Sequence, residues 1–377
     1  GQSVVMEATG NGLKIHAMEH ALATEPAAST LAANPTTAPS LTSSPKLSQQ
    51  ANIVPLSHAE IETSGAKAYA CRELVELSKE AKSYFRALDG LVVPYGSLES
   101  VIALNSATSE WAALLDEAVA ALKVGVPSDI ETICDRLQDF VTSLSVPKTL
   151  AVMIGKAVAS EDDGGSDKGQ LLMLRSSANV EDLAGLSGAG LYDSITNVRR
   201  DDPESIERAL KKVWASLFSR RAMLARASLG IHPKDAHMAV LVQPQLAPAL
   251  SFVLHSSHPM EEDALLAELA PGHGELLASG TRGSGWRLTV SPSGVVSDSF
   301  ANFSEALLPN YAGTLTSKTM DYSREELSCS SEARERLGKQ LGVVGKYLEA
   351  SFGGVAQDVE GAIVGDALYV FQTRPQP

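Results

Sequence analysis

An arginine and a loop of small residues stand together at the end of a predicted buried strand. Arg175 follows the apolar run Leu171–Leu174, and the residues from Ser176 to Tyr192 are rich in Gly, Ala and Ser. An arginine at a strand end can bind an anion, and the backbone N–H groups of such a loop can approach phosphate oxygens closely. A flexible surface loop with an incidental arginine is the alternative. The sequence has no GxxxxGK[ST] or GxGxxG pattern, which excludes the two common glycine-rich phosphate motifs.

A second group of polar residues lies near the C-terminus. Residues 357–372 predict two strands joined by a tight turn. Asp358 and Glu360 are two residues apart, as are Gln372 and Arg374, so all four can share one face of the hairpin. Oxygen donors suit Mg²⁺ and arginine suits a phosphate. A solvated hairpin face with a cross-strand Glu–Arg pair is the alternative.

Lys67 is the third candidate. It follows Ser64-Gly65-Ala66 at a turn that opens a predicted helix over residues 66–77. The helix dipole does not favour a lysine beside a helix N-terminus, and a bound phosphate there would relieve this. An ordinary exposed lysine is the alternative.

Two further segments could shape a cleft between lobes. The predicted strands Ala239–Gln243 and Ser251–His255 are separated by a proline-containing turn that includes Gln245. A glycine-punctuated segment around Glu275 follows. Taken alone, these patterns predict only turns.

The elements that must position these residues divide the chain into three parts. Residues 3–18 predict a hairpin, and because two strands alone are marginally stable, we expect residues 1–21 to end a domain that lies upstream. Residues 22–52 are rich in Ala, Ser, Thr and Pro and predict a flexible linker. From residue 53 to the end the chain predicts a globular region. Within it, residues 97–158 predict mostly helix and residues 204–228 a single long helix.

Composition narrows the classes of function. The 377 residues contain 31 Lys+Arg against 45 Asp+Glu, a formal net charge of −14. This balance argues against non-specific binding to nucleic acid or to an anionic membrane, since both need excess positive charge. The three cysteines form no CxxC pair, which excludes a disulfide framework and a cysteine-type zinc site of the usual spacing. No apolar run is long enough to span a membrane.

Separated motifs together resemble one family. The motifs are Arg175–Gly185 (RSSANVEDLAG), Ser251–His255 (SFVLH), Leu277–Gly283 (LASGTRG), Phe300–Ser304 (FANFS), Gln357–Gly361 (QDVEG) and Gln372–Pro377 (QTRPQP). With these motifs, the chain from about residue 53 to 377 resembles the C-terminal nucleotide-binding domain of plant and algal α-glucan water dikinases, and within that family the phosphoglucan, water dikinase group.

The resemblance implies an α+β, ATP-grasp-like domain of the pyruvate phosphate dikinase type. Mg·ATP would lie between two lobes, about residues 53–235 and 236–377. Lys67 and Arg175 would hold the phosphates. Gln243, with Gln245 beside it, would form the hinge next to adenine, and Glu275 would line the cleft near the ribose or the phosphates.

The resemblance also implies the metal site and the reaction. Glu360 and Gln372 would ligate Mg²⁺ with support from Asp358, and Arg374 would bind the transferring phosphates. In this family the β-phosphate of ATP passes to a histidine on a swivelling domain, the γ-phosphate passes to water, and the phosphohistidine then phosphorylates starch. Residues 1–21 would be the end of that histidine domain, and the protein would be plastidial. The alternatives are a pyruvate- or phosphoenolpyruvate-type dikinase or related phosphotransferase, and a non-catalytic nucleotide-binding scaffold.

Overall fold

The computed structural model describes residues 4–9, 12–17, 44–158, 171–181, 190–278, 283–310 and 314–376. The chain divides into a small unit, residues 1–38, and a large unit, residues 39–377. In the small unit, β1 (Val4–Thr9) and β2 (Gly12–Ala17) pair antiparallel with Thr9 opposite Gly12. The predicted hairpin is therefore confirmed, although its turn at residues 10–11 lies outside the described residues. The upstream domain to which we assigned it stays a prediction.

The large unit combines helices with two main sheets. Its strands are β3 (Val54–Pro55), β4 (Arg86–Ala87), β5 (Leu91–Val93), β6 (Leu171–Ala178), β7 (Ser194–Arg199), β8 (Met238–Pro244), β9 (Leu250–His255), β10 (Leu265–Pro271), β11 (Trp286–Ser291), β12 (Gly294–Ser299), β13 (Glu305–Asn310), β14 (Thr314–Thr319), β15 (Gln357–Val364) and β16 (Ala367–Pro375). Its helices are α1 (Ile61–Glu80), α2 (Ser97–Leu104), α3 (Thr108–Val124), α4 (Pro127–Ser143), α5 (Lys148–Ala157), α6 (Pro203–Ser216), α7 (Arg220–Ser228), α8 (Glu275–Ala278), α9 (Glu326–Cys329) and α10 (Ser331–Ser351). This mixed content confirms the predicted α+β class.

The first sheet has the strand order β3-β5-β8-β6-β7. Its central strands β6 and β8 are buried along nearly their whole length because both faces of the sheet are covered. On one face, Leu174 and Val242 join a core built with helices α2 to α7. On the other, Val92 and Leu241 pack with residues of α1. β6 is thereby held between two layers. Arg175 lies within β6, which continues to Ala178 because Ser176 and Ser177 still pair with β8, so the prediction that Arg175 follows the end of a strand was wrong.

The helix predicted over residues 204–228 is two helices, so that prediction was wrong. α6 ends at Ser216, and α7 begins where the Ser219 hydroxyl accepts a hydrogen bond from the Ala222 N–H. The intervening Leu217 and Phe218 are buried in the first core. Apolar spacing alone could not reveal the break, because the cap is a single serine.

The second sheet has the order β12-β11-β10-β9-β15-β16-β4, with β16 parallel to β4. Helix α10 covers one face and approaches closely at Gly338, where an added Cβ would lie 2.8 Å from the methyls of Val295. In the register, His255 is opposite Asp358 and Asp358 is opposite Arg374. One face of this sheet therefore collects polar side chains at the C-terminal hairpin.

Helix α1 lies between the two sheets. Ala68 and Cys71 pack on the first sheet, whereas Leu74 packs with Phe85 and Phe252 beside the second. The sheets do not divide at residue 235 as the predicted lobes do. Strand β8 pairs with β5 and β6 in the first sheet, and β4 lies at the edge of the second.

The predicted linker also ends earlier than expected. Within residues 44–52, the Lys46 N–H donates to the Glu62 carbonyl at 2.7 Å and the Ser48 N–H to the Tyr95 carbonyl at 2.8 Å. These bonds attach the last part of the predicted linker to the large unit. Composition did not predict this, because small polar residues can hydrogen-bond through their backbone whatever their side chains are.

Candidate nucleotide-binding site

A cavity of about 270 Å³ brings three of the predicted residues together. It lies between the start of α1 and the last strand, and its lining includes Ala66, Lys67, Ala70, Gln372, Thr373 and Arg374. Its volume is slightly below the range of roughly 300–1,000 Å³ usual for ligand pockets. A cavity of this size, with two cationic residues in its lining, suits the phosphate end of a nucleotide.

Gly65 places Lys67 at this cavity. The backbone at Gly65 has φ 85° and ψ 162°, which breaks α1 into a first turn and a longer helix over residues 66–80. Ser177 fixes the break, since its hydroxyl donates to the Ser64 carbonyl at 2.7 Å and accepts from the Ala68 N–H at 3.1 Å. The end of β6 thus determines where the helix carrying Lys67 begins.

The Lys67 ammonium is held by two acceptors from the β6 region. Its Nζ lies 2.6 Å from Glu181 Oε1 and 3.3 Å from Ser176 Oγ. The side chains of Lys67 and Glu181 are only 10% and 5% exposed, so this is a buried ion pair. No pattern in the sequence indicated Glu181 as a residue of the site. The signal available was its place in the Arg175 loop, but nothing in the spacing paired it with Lys67.

Arg175 joins the two sheets. It is buried in the middle of β6 and donates to the Phe371 carbonyl at 3.1 Å and to Gln372 Oε1 at 2.6 Å, both on β16. The alternative of an incidental arginine in a surface loop is therefore wrong. Residues 182–189 of the predicted phosphate loop lie outside the described residues.

The C-terminal hairpin has the predicted polar face. Asp358 is opposite Arg374 and Glu360 is opposite Gln372 in the β15–β16 register. Arg374 donates from Nε and from a terminal nitrogen to Asp358 Oδ2, at 3.0 and 2.8 Å. The cross-strand ion pair is thus Asp358–Arg374, and the alternative of a Glu–Arg pair is wrong. His255 Nε2 lies 3.6 Å from Asp358 Oδ1, a neighbour that sequence analysis did not predict.

The donors on this face fit a Mg²⁺ ion. Asp358 Oδ1 is buried and has no hydrogen-bond partner among the described residues. Glu360 and Gln372, directly across from each other, offer carboxylate and amide oxygens. The described residues contain no group of three or more His, Cys, Asp or Glu side chains arranged to hold a metal. A cation here would therefore complete its shell with water or phosphate oxygens, as Mg²⁺ commonly does.

The Cys71 thiol lies within reach of four charged groups. Burial raises the pKa of Cys71, while Arg175 and Lys67 lower that pKa and Glu360 and Glu181 raise it. The pKa of this one buried thiol therefore depends on charged groups of α1, of the β6 region and of β15. The Cys71 Sγ donates to the Phe371 carbonyl at 3.3 Å, the same oxygen that accepts from Arg175. The charged residues form one local cluster around the first turns of α1.

The residues predicted at the adenine hinge lie elsewhere. Gln243 is 2% exposed and donates from its amide to the Leu88 carbonyl at 2.7 Å. Gln245 exchanges hydrogen bonds with Asn197. Neither lines the cavity of Lys67 and Arg374. Their role beside adenine stays a prediction, as does that of Glu275, which begins α8 and whose side chain is outside the described residues.

Comparison with known proteins identifies the family. Residues 61–377 match the family described as pyruvate phosphate dikinase, AMP/ATP-binding domain. This is most of the chain, and the chain belongs to that family. The ATP-grasp-like fold expected from the motifs is confirmed by this match.

Individual relatives include several kinds of phosphotransferase. A rifampicin phosphotransferase from Streptomyces is 28% identical over 293 residues, which cover 76% of this chain and 32% of the relative. A probable phosphoenolpyruvate synthase from Archaeoglobus fulgidus is 34% identical over 209 residues, covering 54% of this chain and 26% of the relative. The alpha-glucan water dikinase 2 of Arabidopsis thaliana is 27% identical over 199 residues, which cover 45% of this chain and 16% of the relative. The chain spans about a third of the length of the rifampicin phosphotransferases that it matches.

The membership supports an ATP-binding domain of a dikinase or phosphotransferase. The glucan dikinase resemblance is supported only in part, because the rifampicin and phosphoenolpyruvate enzymes match longer stretches. No helix in the described ranges is long and apolar enough to cross a membrane.

Proposed function

We propose that this chain is the nucleotide-binding part of a dikinase-type phosphotransferase. It binds Mg·ATP, and the bound ATP donates the phosphoryl groups. The observation that carries the proposal is the convergence of Lys67, Arg175 and Arg374 from α1, β6 and β16. Cations fixed before the substrate arrives stabilise the charge that develops during phosphoryl transfer without reorganising at that moment.

The roles of the carboxylates follow from their contacts. Glu360, Gln372 and Asp358 Oδ1 would hold Mg²⁺, which neutralises phosphate charge when it is bound. Asp358 Oδ2 accepts two hydrogen bonds from Arg374, so the Asp358 carboxylate would both orient the guanidinium and support the Mg²⁺ ion. Arg374 presents a planar fork that suits a phosphate. Arg175 donates to the Gln372 amide oxygen and would thereby keep the Gln372 side chain oriented beside the phosphates.

A titration calorimetry experiment tests nucleotide binding. The 377-residue chain should bind Mg·ATP saturably, and Arg374→Ala and Glu360→Ala should each weaken binding by roughly tenfold or more, about 1.4 kcal/mol. Arg287→Ala is the matched control, because it removes an arginine paired with Glu268 on the same sheet but outside the cavity lining. Absence of binding by a folded wild-type chain would contradict the proposal.

The identity of the phosphoryl acceptor distinguishes a starch-phosphorylating dikinase from a related phosphotransferase. The motif resemblance favours phosphorylated starch, through a phosphohistidine upstream and in a plastid. The rifampicin phosphotransferase and phosphoenolpyruvate synthase relatives support a related phosphotransferase at least as well. The full-length polypeptide should be given β-labelled ATP with a phosphorylated α-glucan, pyruvate or rifampicin in turn. Label on the glucan would support the starch acceptor, whereas AMP formation stimulated by either small molecule would favour the alternative.

A further inference from the structure

The three cationic residues of the candidate site all have acceptors within this chain. Lys67 is paired with Glu181, Arg374 with Asp358, and Arg175 with the Gln372 amide oxygen and the Phe371 carbonyl. We propose that Glu181 is an internal counter-anion for Lys67, which the phosphates of ATP replace on binding. The inference rests on the proposed nucleotide function and concerns how this site sets its own affinity.

The two partners of the Lys67–Glu181 pair are placed differently with respect to the cavity. Glu181 does not line the cavity, whereas Lys67 does. The second oxygen of Glu181, Oε2, accepts from the Ala178 N–H at 3.3 Å, so the carboxylate is anchored to the last residue of β6. The lysine side chain is longer and has rotatable bonds along its stem. The ammonium is therefore the partner that can turn towards a phosphate while Glu181 stays in place.

Because the Lys67–Glu181 pair is buried, it contributes to the stability of the chain when the cavity holds no ligand. Removing one partner of a buried ion pair leaves an uncompensated charge, which is strongly destabilising. A bound phosphate would supply that missing negative charge. Loss of the Glu181 charge should therefore destabilise the ligand-free chain while favouring the nucleotide complex. If Glu181 only positioned Lys67, loss of its charge would lower the stability of the ligand-free chain and would also weaken nucleotide binding.

The test is Glu181→Gln in the 377-residue chain, which keeps the side-chain shape and removes the charge. We expect a lower melting temperature without ligand, a larger rise on adding saturating Mg·ATP, and a Kd roughly five- to tenfold tighter by calorimetry. Glu117→Gln is the matched control, since Glu117 is paired with Arg136 between exposed side chains of α3 and α4. It should leave the Kd unchanged.

A double-mutant cycle assigns the effect to Lys67. In a Lys67→Gln background, Glu181→Gln should no longer tighten binding, because there is no ammonium left to release. If Glu181→Gln does not fold, Glu181→Asp lengthens the same contact and should shift the Kd in the same direction by less.

The outcomes separate this inference from the proposed function. Binding that is weakened or unchanged by Glu181→Gln would overturn the counter-anion role alone. A folded wild-type chain that does not bind Mg·ATP would overturn the proposed function and, with it, this inference.

Discussion

Gly65 offers a sharp test of how the site is built. A Cβ at this position would lie 2.5 Å from Ser177 Oγ, 2.6 Å from Tyr95 Oη and 2.9 Å from the Ser177 carbonyl oxygen. Ser177 cannot easily yield, because its hydroxyl is bonded to both sides of the break in α1. The φ of 85° with ψ of 162° is also a conformation that essentially only glycine adopts, at a cost of about 1–3 kcal/mol for another residue.

These terms give a magnitude for Gly65→Ala. Overpacking adds about 1–3 kcal/mol to the backbone term. We therefore expect the free energy of unfolding to fall by about 2–6 kcal/mol, the sum of the two ranges. Since Lys67 is two residues away, Mg·ATP binding by the remaining folded protein should weaken by roughly tenfold or more.

Urea denaturation and calorimetry measure the two effects, and Gly125→Ala is the control. Gly125 has φ 78°, but an added Cβ there meets nothing within 4 Å. It should cost only the left-handed backbone term of about 1–2 kcal/mol and leave ATP affinity unchanged. Equal destabilisation by the two substitutions, or unaltered ATP affinity in Gly65→Ala, would refute the argument that close packing at Gly65 positions Lys67.

The other predictions concern Gln243 and the three cysteines. Gln243→Ala should lower the unfolding free energy by about 1–3 kcal/mol in urea, because it leaves the Leu88 carbonyl without its donor; an unchanged midpoint would contradict this. Alkylation of the folded chain at pH 8, read by mass spectrometry, should modify exposed Cys329 and spare buried Cys71 and Cys134. Burial raises the pKa of Cys134 from 9.0 to about 11, so the folded chain holds that proton more tightly than the unfolded chain. Its contribution to stability should be complete below pH 9 and be lost as the pH rises through about 11; Cys134→Ala should abolish this component of the pH dependence.

Local patterns predicted the parts of the site that depend on one element. The two-residue spacing of Asp358 with Glu360 and of Gln372 with Arg374 was sufficient to place all four on one hairpin face, because strand periodicity fixes the side of each residue. The Ser64-Gly65 break likewise predicted where the helix carrying Lys67 begins.

The parts that depend on several elements could not be predicted in this way. Glu181 meets Lys67 only because Ser177 binds β6 to the start of α1. The Gln243 amide donates to the Leu88 carbonyl, a contact that no local pattern indicated, and its role beside adenine stays a prediction. Both outcomes depend on which strands pair and on how the sheets enclose α1. No short stretch of sequence carries that information.

The charged contacts of the site connect four elements, α1, β6, β16 and β15. Glu181, just beyond β6, holds Lys67 of α1, and Arg175 of β6 holds Gln372 of β16. Arg374 of β16 is in turn held by Asp358 of β15. Since each cation is supported by an acceptor from a different element, the charged groups also tie the first sheet to the second. A nucleotide that took over part of this bonding would act on the connection between the sheets, and so substitutions within the cluster should not be additive in their effects on stability and binding.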